Sequence, residues 1–128
     1  MKKIRLEAAE RVWQSYSQII SVWLFGSAQD GELREDADLD LALLFNTQPT
    51  LDELASIRAD LQESLQIEEI DLTSLNNAGP VLAFQAVSGR LIFCRNLEKK
   101  VDFVSLTARE YEDAMAFLEW GMRTREFT

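Results

Sequence analysis

The sequence predicts a mixed α/β (α+β) domain in which helices flank a small mixed sheet of about four strands. Three observations support this prediction. The chain has 128 residues, the size of one domain. Short apolar runs, rich in β-branched and aromatic residues, end at Gly, Asn or Pro as strands do. Apolar residues recur at helical spacing between these runs, and the longest such pattern predicts a long C-terminal helix.

The first predicted elements are a helix and two strands. Residues 3–17 are predicted to be helical because apolar side chains recur at every fourth position. Residues 19–25 predict a buried strand that stops at Gly26, followed by a short helical turn. Residues 38–45 predict a second strand, which ends before Pro49.

Helices and strands then alternate. Thr50 and Glu53 have the spacing of a capping box and open a helix. Residues 67–73 predict a third strand. Pro80 lies where the first turn of a further helix tolerates proline, and Gly89 lies where that helix is expected to end.

The C-terminal part predicts a fourth strand, residues 90–95, and a helix over residues 97–125. Cys94 is expected to be a buried, inert thiol in that strand. We assign residues 1–96 to the core and residues 97–128 to a helical segment of the same domain. The helix has an apolar stripe with alternating spacings of four and three, formed by Leu97, Val101, Val104, Ala108, Tyr111, Met115, Leu118 and Met122.

This stripe has two interpretations. It packs on the sheet of its own domain, or it binds a partner protein. Four aromatic residues partly off the stripe are candidate anchors for a partner: Phe103, Phe117, Trp120 and Phe127.

Composition excludes several functions. The 13 basic and 22 acidic residues give a net charge of −9, which argues against general binding to nucleic acid or to anionic lipid. The chain has no histidine, which excludes serine–histidine triads and most zinc sites. Its single cysteine cannot form an internal disulfide. No apolar run is long enough for a membrane span, so we expect a cytoplasmic protein.

Asp38, Asp40 and Asp71 are the candidate catalytic residues. Asp38 and Asp40 lie two positions apart on a predicted strand, so both carboxylates point to the same face. Such a pair repels unless a cation lies between them, and Mg²⁺ prefers oxygen ligands that it shares with substrate phosphates. Asp71 lies between apolar residues in the third strand. If that strand pairs with residues 38–45, Asp71 joins the pair as a further ligand or as a general base.

Gly26 and Ser27 follow the first strand and are candidate phosphate-binding residues. Glycine allows a close approach of the backbone to phosphate, and a serine hydroxyl can bond to its oxygens. Each motif alone is common, and the acidic run between residues 30 and 40 could be a solvated loop. The combination of a Gly-Ser strand end, a ten-residue return, an Asp-x-Asp strand and a third acid favours a catalytic site.

These residues resemble the minimal nucleotidyltransferases (MNT), a branch of the DNA polymerase β-like superfamily. Gly26, Ser27, Asp38 and Asp40 match the family pattern without a gap, and Asp71 matches the family's third acid. The resemblance covers about residues 10–98. It implies a nucleotidyltransferase-like fold for the core. Three loop positions depart from the common pattern: Asp30 replaces a frequent arginine, Glu35 a frequent proline and Ala37 a frequent serine.

The resemblance also implies the chemistry. The Gly-Ser pair would hold the triphosphate of ATP, and Asp38 and Asp40 would bind two Mg²⁺ ions. Asp71 would complete the metal site and activate the acceptor hydroxyl. Arg34 falls where the family loop commonly has arginine, and is therefore a candidate nucleotide-binding residue.

Small members of this branch are typically paired with HEPN-domain ribonuclease toxins. The resemblance implies an antitoxin that transfers AMP to a tyrosine of its toxin in a complex with it. Two alternatives remain open. The chain inhibits its toxin by binding alone, or it modifies a small molecule; the short chain, without an extra acceptor domain, makes the latter weaker.

Overall fold

A computed structural model describes residues 2–126, with side chains up to residue 122. Within this range the chain forms six strands, four helices and a 3₁₀ turn. Their bounds are β1 (Lys2–Lys3), α1 (Leu6–Ser15), β2 (Ile19–Phe25), the 3₁₀ turn (Gly26–Ala28), β3 (Glu32–Leu33), β4 (Leu39–Phe45), α2 (Leu51–Leu65), β5 (Ile70–Ser74), α3 (Pro80–Val87), β6 (Arg90–Cys94) and α4 (Leu97–Glu126).

The central sheet has four strands in the order β5-β4-β2-β6. β4 and β5 are parallel, and β2 is antiparallel to both of its neighbours. The prediction of a small mixed sheet with a long C-terminal helix is therefore confirmed. β1 and β3 form a separate two-stranded pair that the sequence did not predict. Because residues 2–3 are extended there, α1 begins at Leu6 rather than at residue 3.

Side chains alternate along β4, so the strand contributes to two cores. Leu39, Leu41 and Leu43 point to the face covered by α1 and α2. Ala42 and Leu44 point to the face that α3 and the first part of α4 cover. Asp40 has the same register as Ala42 and Leu44, at the start of the strand. The alternation thus places one carboxylate at the edge of the second core.

Local signals explain where α2 and β5 begin and end. The capping box at the start of α2 is confirmed, since the Glu53 amide donates to the Thr50 hydroxyl at 3.1 Å. The helix ends at Leu65, and the next residue, Gln66, caps it with a left-handed backbone at φ 56°. β5 then begins at Ile70 instead of residue 67, because the residues after this turn connect the helix to the sheet.

Arg95, directly after β6, binds the C-terminal end of α1. Its guanidinium donates to the backbone oxygens of Trp13 at 2.9 Å, Tyr16 at 2.9 Å and Ile19 at 2.6 Å. It also lies over the ring of Phe93, 5.2 Å from the centroid. A cation here satisfies helix-end carbonyls that lack intrahelical partners.

α4 packs on the domain through side chains in its first half. Val104 contacts the second core, Thr107 is buried, and the Tyr111 ring stacks on Phe84 with centroids 4.0 Å apart. Phe117 and Trp120, further along, are 72% and 65% exposed. Part of the stripe, in the first half of the helix, therefore packs on its own domain, and partner binding by the exposed end of the helix stays a prediction. The fourth candidate anchor, Phe127, lies outside the described residues.

Cys94 is exposed, so the prediction of a buried thiol is wrong. β6 is an edge strand, and its alternation buries Phe93 while Cys94 points outward. An apolar run at a sheet edge has only part of its side chains covered. Among the described residues, none of the helices is long and apolar enough to span a membrane.

Candidate active site

Gly26 brings the first predicted motif directly against Asp40. It follows β2 with φ +76°, a left-handed backbone that favours glycine. Phe25 and Asp40 are paired across β2 and β4. A Cβ atom at Gly26 would lie 3.3 Å from Asp40 Cγ and would overlap Oδ2 of the same carboxylate. Only glycine allows the turn to pack this closely on Asp40.

The strand pairing brings Asp71 to the same place. Asp40 and Asp71 are register partners on the parallel strands β4 and β5, so their side chains leave the sheet on the same face. Asp38 precedes β4 by one residue, and the amide of Leu39 fixes this strand start by donating to the Glu69 carbonyl at 2.9 Å. Asp38 and Asp71 are exposed, while Asp40 is partly buried.

The three carboxylates affect each other electrostatically. Burial raises the pKa of Asp40, and the negative charges of Asp71 and Asp38 raise it further. The ionised form of Asp40 is therefore disfavoured in the protein alone. A cation bound at the cluster would relieve both repulsions, since it would place positive charge beside all three oxygen donors.

The donor set fits Mg²⁺ that is shared with a substrate. Within the part of the chain that the structure describes, no group of three or more Asp, Glu or Cys side chains is arranged to hold a metal ion by itself, so a metal here would need ligands from a substrate. Mg²⁺ is usually held by one or two carboxylates, with phosphate oxygens and water completing its octahedron. An open cluster of carboxylates beside a phosphate-binding turn meets that requirement.

The 3₁₀ turn presents Ser27 to solvent beside these carboxylates. Ala28 is buried and anchors the turn in the core, whereas Gly26 and Ser27 are exposed. The Gln29 amide donates to the Gly26 carbonyl at 3.3 Å, and the Gly31 amide donates to the Ala28 carbonyl at 2.9 Å. The predicted Gly-Ser motif thus forms a defined turn that can offer backbone amides and a hydroxyl to an anion.

Arg34 binds this turn from the following loop. Its Nη1 donates to the Ser27 carbonyl at 2.6 Å, and its Nη2 donates to Asp30 Oδ2 at 2.8 Å. The hydrogen bond from Arg34 lowers the pKa of Asp30, and the bond from the Glu32 amide lowers it further. In the sequence, Asp30 is noted only as a departure from the family pattern. Its contact with Arg34 was missed, although the opposite charges are four positions apart.

The site is an open surface rather than an enclosed cavity. A groove of about 460 Å³ lies beside it, lined by residues 33–37 and 66–69 together with Lys2. None of the three carboxylates lines this groove, and four of its lining residues are acidic. The carboxylate cluster, not this groove, has the combination of donors that a nucleotide with Mg²⁺ requires.

The site combines a Gly-Ser turn packed against paired aspartates with a third aspartate on the neighbouring strand. This arrangement is typical of nucleotidyl-transferring sites. The sequence profile described as polymerase beta, nucleotidyltransferase, matches residues 7–98. The chain belongs to this family, as its motifs led us to expect. A search of curated protein sequences finds no significant match.

Solved structures agree with this assignment. A chain assigned to the minimal nucleotidyltransferases is 31% identical, with a TM-score of 0.58; the match covers 67% of our chain and 86% of the other. A chain of a toxin–antitoxin complex with AMP-PNP has a TM-score of 0.78 at 18% identity, covering 95% of our chain and 98% of the other.

A further similar chain comes from the complex of a tri-AMPylated Shewanella oneidensis HEPN toxin with its MNT antitoxin. It has a TM-score of 0.72 at 18% identity, and the match covers 94% of our chain and 95% of the other. At this identity the likeness establishes a common fold over nearly the whole chain, including α4.

Proposed function

We propose that this protein is an antitoxin that transfers AMP from ATP to a tyrosine hydroxyl of a HEPN-domain toxin, with Mg²⁺ bound at Asp38, Asp40 and Asp71. A cytoplasmic location follows from such a partner. The observation that carries the proposal is the contact of Gly26 with Asp40, with Asp71 as the register partner of Asp40. This contact supports the proposal because it sets the Gly26–Ser27 turn directly against the Asp40 carboxylate.

Each residue has a role that follows from its position. The amides and hydroxyl of the Gly26–Ser27 turn bind the triphosphate, and Asp38 and Asp40 hold the metal ions. When bound, Mg²⁺ supplies positive charge that offsets the phosphate charge. Asp71 accepts the proton of the tyrosine hydroxyl while the tyrosine oxygen forms a bond to the α-phosphorus. The bond from that phosphorus to the pyrophosphate oxygen breaks, and pyrophosphate leaves.

The fold of the similar chains supports this proposal. One of them was crystallised with AMP-PNP in a toxin–antitoxin complex, and another with a HEPN toxin that carries three AMP groups. A net charge of −9 is also compatible with a basic, RNA-cleaving partner.

The test has two stages. Titration calorimetry with ATP and Mg²⁺ measures nucleotide binding by the chain alone. Labelled ATP, Mg²⁺ and a HEPN-domain toxin are then incubated with the chain, and mass spectrometry locates AMP on a toxin tyrosine. Asp40→Asn is expected to lower transfer by at least about 100-fold, the typical loss when electrostatic stabilisation is removed from an active site.

Asp36→Asn is the matched control, because Asp36 is an exposed aspartate of the same loop and asparagine tolerates its left-handed backbone. It should transfer AMP at the wild-type rate. Toxin neutralisation without AMP transfer, unaffected by Asp40→Asn, would overturn the proposed reaction.

A second candidate function is inhibition by binding alone. It is favoured by the exposed end of α4, where Phe117 is 72% exposed. Phe117→Asp should then abolish neutralisation while Asp40→Asn leaves it intact. The catalytic proposal expects the reverse for Asp40→Asn, so the two variants together distinguish the candidates.

A further inference from the structure

The loop between β2 and β4 contains an ion pair that the roles above do not use. Asp30 and Arg34 are four positions apart and in contact, at 2.8 Å between Oδ2 and Nη2. Asp30 itself is fixed, because its Oδ1 accepts the Glu32 amide at 3.0 Å. The carboxylate thus joins the guanidinium of one residue to the backbone of another.

The guanidinium of Arg34 has a second contact, on the turn itself. Nη1 donates to the Ser27 carbonyl at 2.6 Å and more weakly to the Glu32 carbonyl at 3.3 Å. The two ends of the planar fork therefore bind a carbonyl of the turn and a carboxylate of the loop. Lysine cannot reproduce this, since its ammonium is a point charge without a fork.

We infer that Asp30 and Arg34 form a latch that holds the Gly26–Ser27 turn in the shape that receives the triphosphate, so that Arg34 is a positioning residue and not a phosphate ligand. The inference rests on the proposed function for the nucleotide. A carbonyl held by Arg34 turns away from the anion site, while the amides of the same turn stay available to it. Asp30 keeps the guanidinium on that carbonyl.

The latch predicts that removing the negative charge of Asp30 weakens ATP binding, the opposite of the usual effect. Removing a carboxylate close to a bound triphosphate generally strengthens binding, because a repulsion is lost. Asp30→Asn should instead weaken ATP binding relative to Glu35→Gln, which removes the same charge from an exposed residue of the same loop. Since the pair is exposed, the expected difference is about three- to fivefold in the dissociation constant. If Arg34 were instead a direct phosphate ligand, Asp30→Asn would release its guanidinium, and ATP would bind more tightly.

The experiment compares wild type, Asp30→Asn, Arg34→Lys and Glu35→Gln in ATP binding and in hydrogen exchange of the Gln29 and Gly31 amides without nucleotide. The latch predicts faster amide exchange and weaker ATP binding for Asp30→Asn and Arg34→Lys, and neither change for Glu35→Gln. It also predicts a raised KM for ATP with little change in kcat. Wild-type ATP affinity in Arg34→Lys, or binding by Asp30→Asn at least as tight as by Glu35→Gln, would overturn the inference.

Hydrogen exchange separates this inference from the proposed function. If the wild-type chain binds no ATP, the proposed function fails. Unchanged exchange in Asp30→Asn and Arg34→Lys overturns the latch whether or not ATP binds.

Discussion

Replacing Asp40 by asparagine should stabilise the protein while it abolishes transfer. Burial and two neighbouring carboxylates raise the pKa of Asp40, so its charge destabilises the folded state. Asparagine has nearly the same shape and removes this charge from the contact with Gly26. We therefore expect a larger free energy of unfolding for Asp40→Asn at neutral pH without divalent cations.

The magnitude follows from the strand pairing. Neighbouring strands lie about 4.8 Å apart, so the carboxylates of Asp40 and Asp71 face each other at roughly 5–6 Å. Two like charges at that distance repel by about 1–3 kcal/mol for effective dielectric constants from 80 down to 20. Because Asp71 is exposed, we expect the lower end, about 1 kcal/mol. This corresponds to a rise in Tm of about 3–5 °C for a domain of this size.

The effect depends on pH in a definite direction. Below the ordinary pKa of 3.8, Asp40 is protonated in both the folded and the unfolded state, and the variant has no advantage. As pH rises through the raised folded pKa, the wild type alone must ionise a disfavoured group and loses stability. Urea unfolding at about pH 3 and at neutral pH should show the difference only at neutral pH.

Two further measurements isolate the cause. Asp36→Asn removes the same negative charge at an exposed position, and its stability should equal that of the wild type. Adding Mg²⁺ should narrow the gap between wild type and Asp40→Asn, because the cation offsets the repulsion only where the carboxylate remains. An Asp40→Asn variant that is no more stable than Asp36→Asn in EDTA at neutral pH would refute the reasoning.

Three further predictions concern backbone contacts. Gly89→Ala should destabilise the protein by about 1–3 kcal/mol in urea unfolding, because its Cβ would lie 2.6 Å from the Leu24 carbonyl oxygen. The control Gly121→Ala, inside α4 with no heavy atom within 4 Å, should not destabilise it. Arg95→Lys should lower stability by about 1–2 kcal/mol, since an ammonium cannot serve all three carbonyls between the end of α1 and the start of β2, and an unchanged Tm would contradict this. Gly26→Ala should lose ATP binding in calorimetry, because its Cβ overlaps the neighbouring carboxylate; binding at wild-type affinity would disprove the close packing of the turn.

The candidate site was largely predictable because its signals are local. Gly26 and Asp40 are linked by a motif of fixed spacing, and strand alternation correctly separated the acidic face of β4 from its leucine face. Asp71 required one further fact, the pairing of β4 with β5. From the sequence alone, it could be stated only that Asp71 joins the pair if the two strands are neighbours. The parallel pairing of Asp40 with Asp71 shows that they are.

Features that depend on distant or edge contacts were not predictable. β1 and β3 have two residues each, too few for any periodicity. The exposure of Cys94 depends on β6 being an edge strand, which no property of the run itself reveals. The contacts of Arg95 span 76 to 82 positions along the chain, so only the folded topology brings them together.

The position of Asp40 shows how stability and the proposed activity would oppose each other. Its register is that of Ala42 and Leu44, so an apolar residue would extend the second core by one position and remove a repulsion. The chain instead places a carboxylate there and packs Gly26 on it, at a cost in folding free energy. Binding of a metal nucleotide would reverse that cost, since the cation stabilises the ionised form that the folded protein disfavours. The same repulsion that weakens the protein alone is therefore a source of affinity for its proposed substrate.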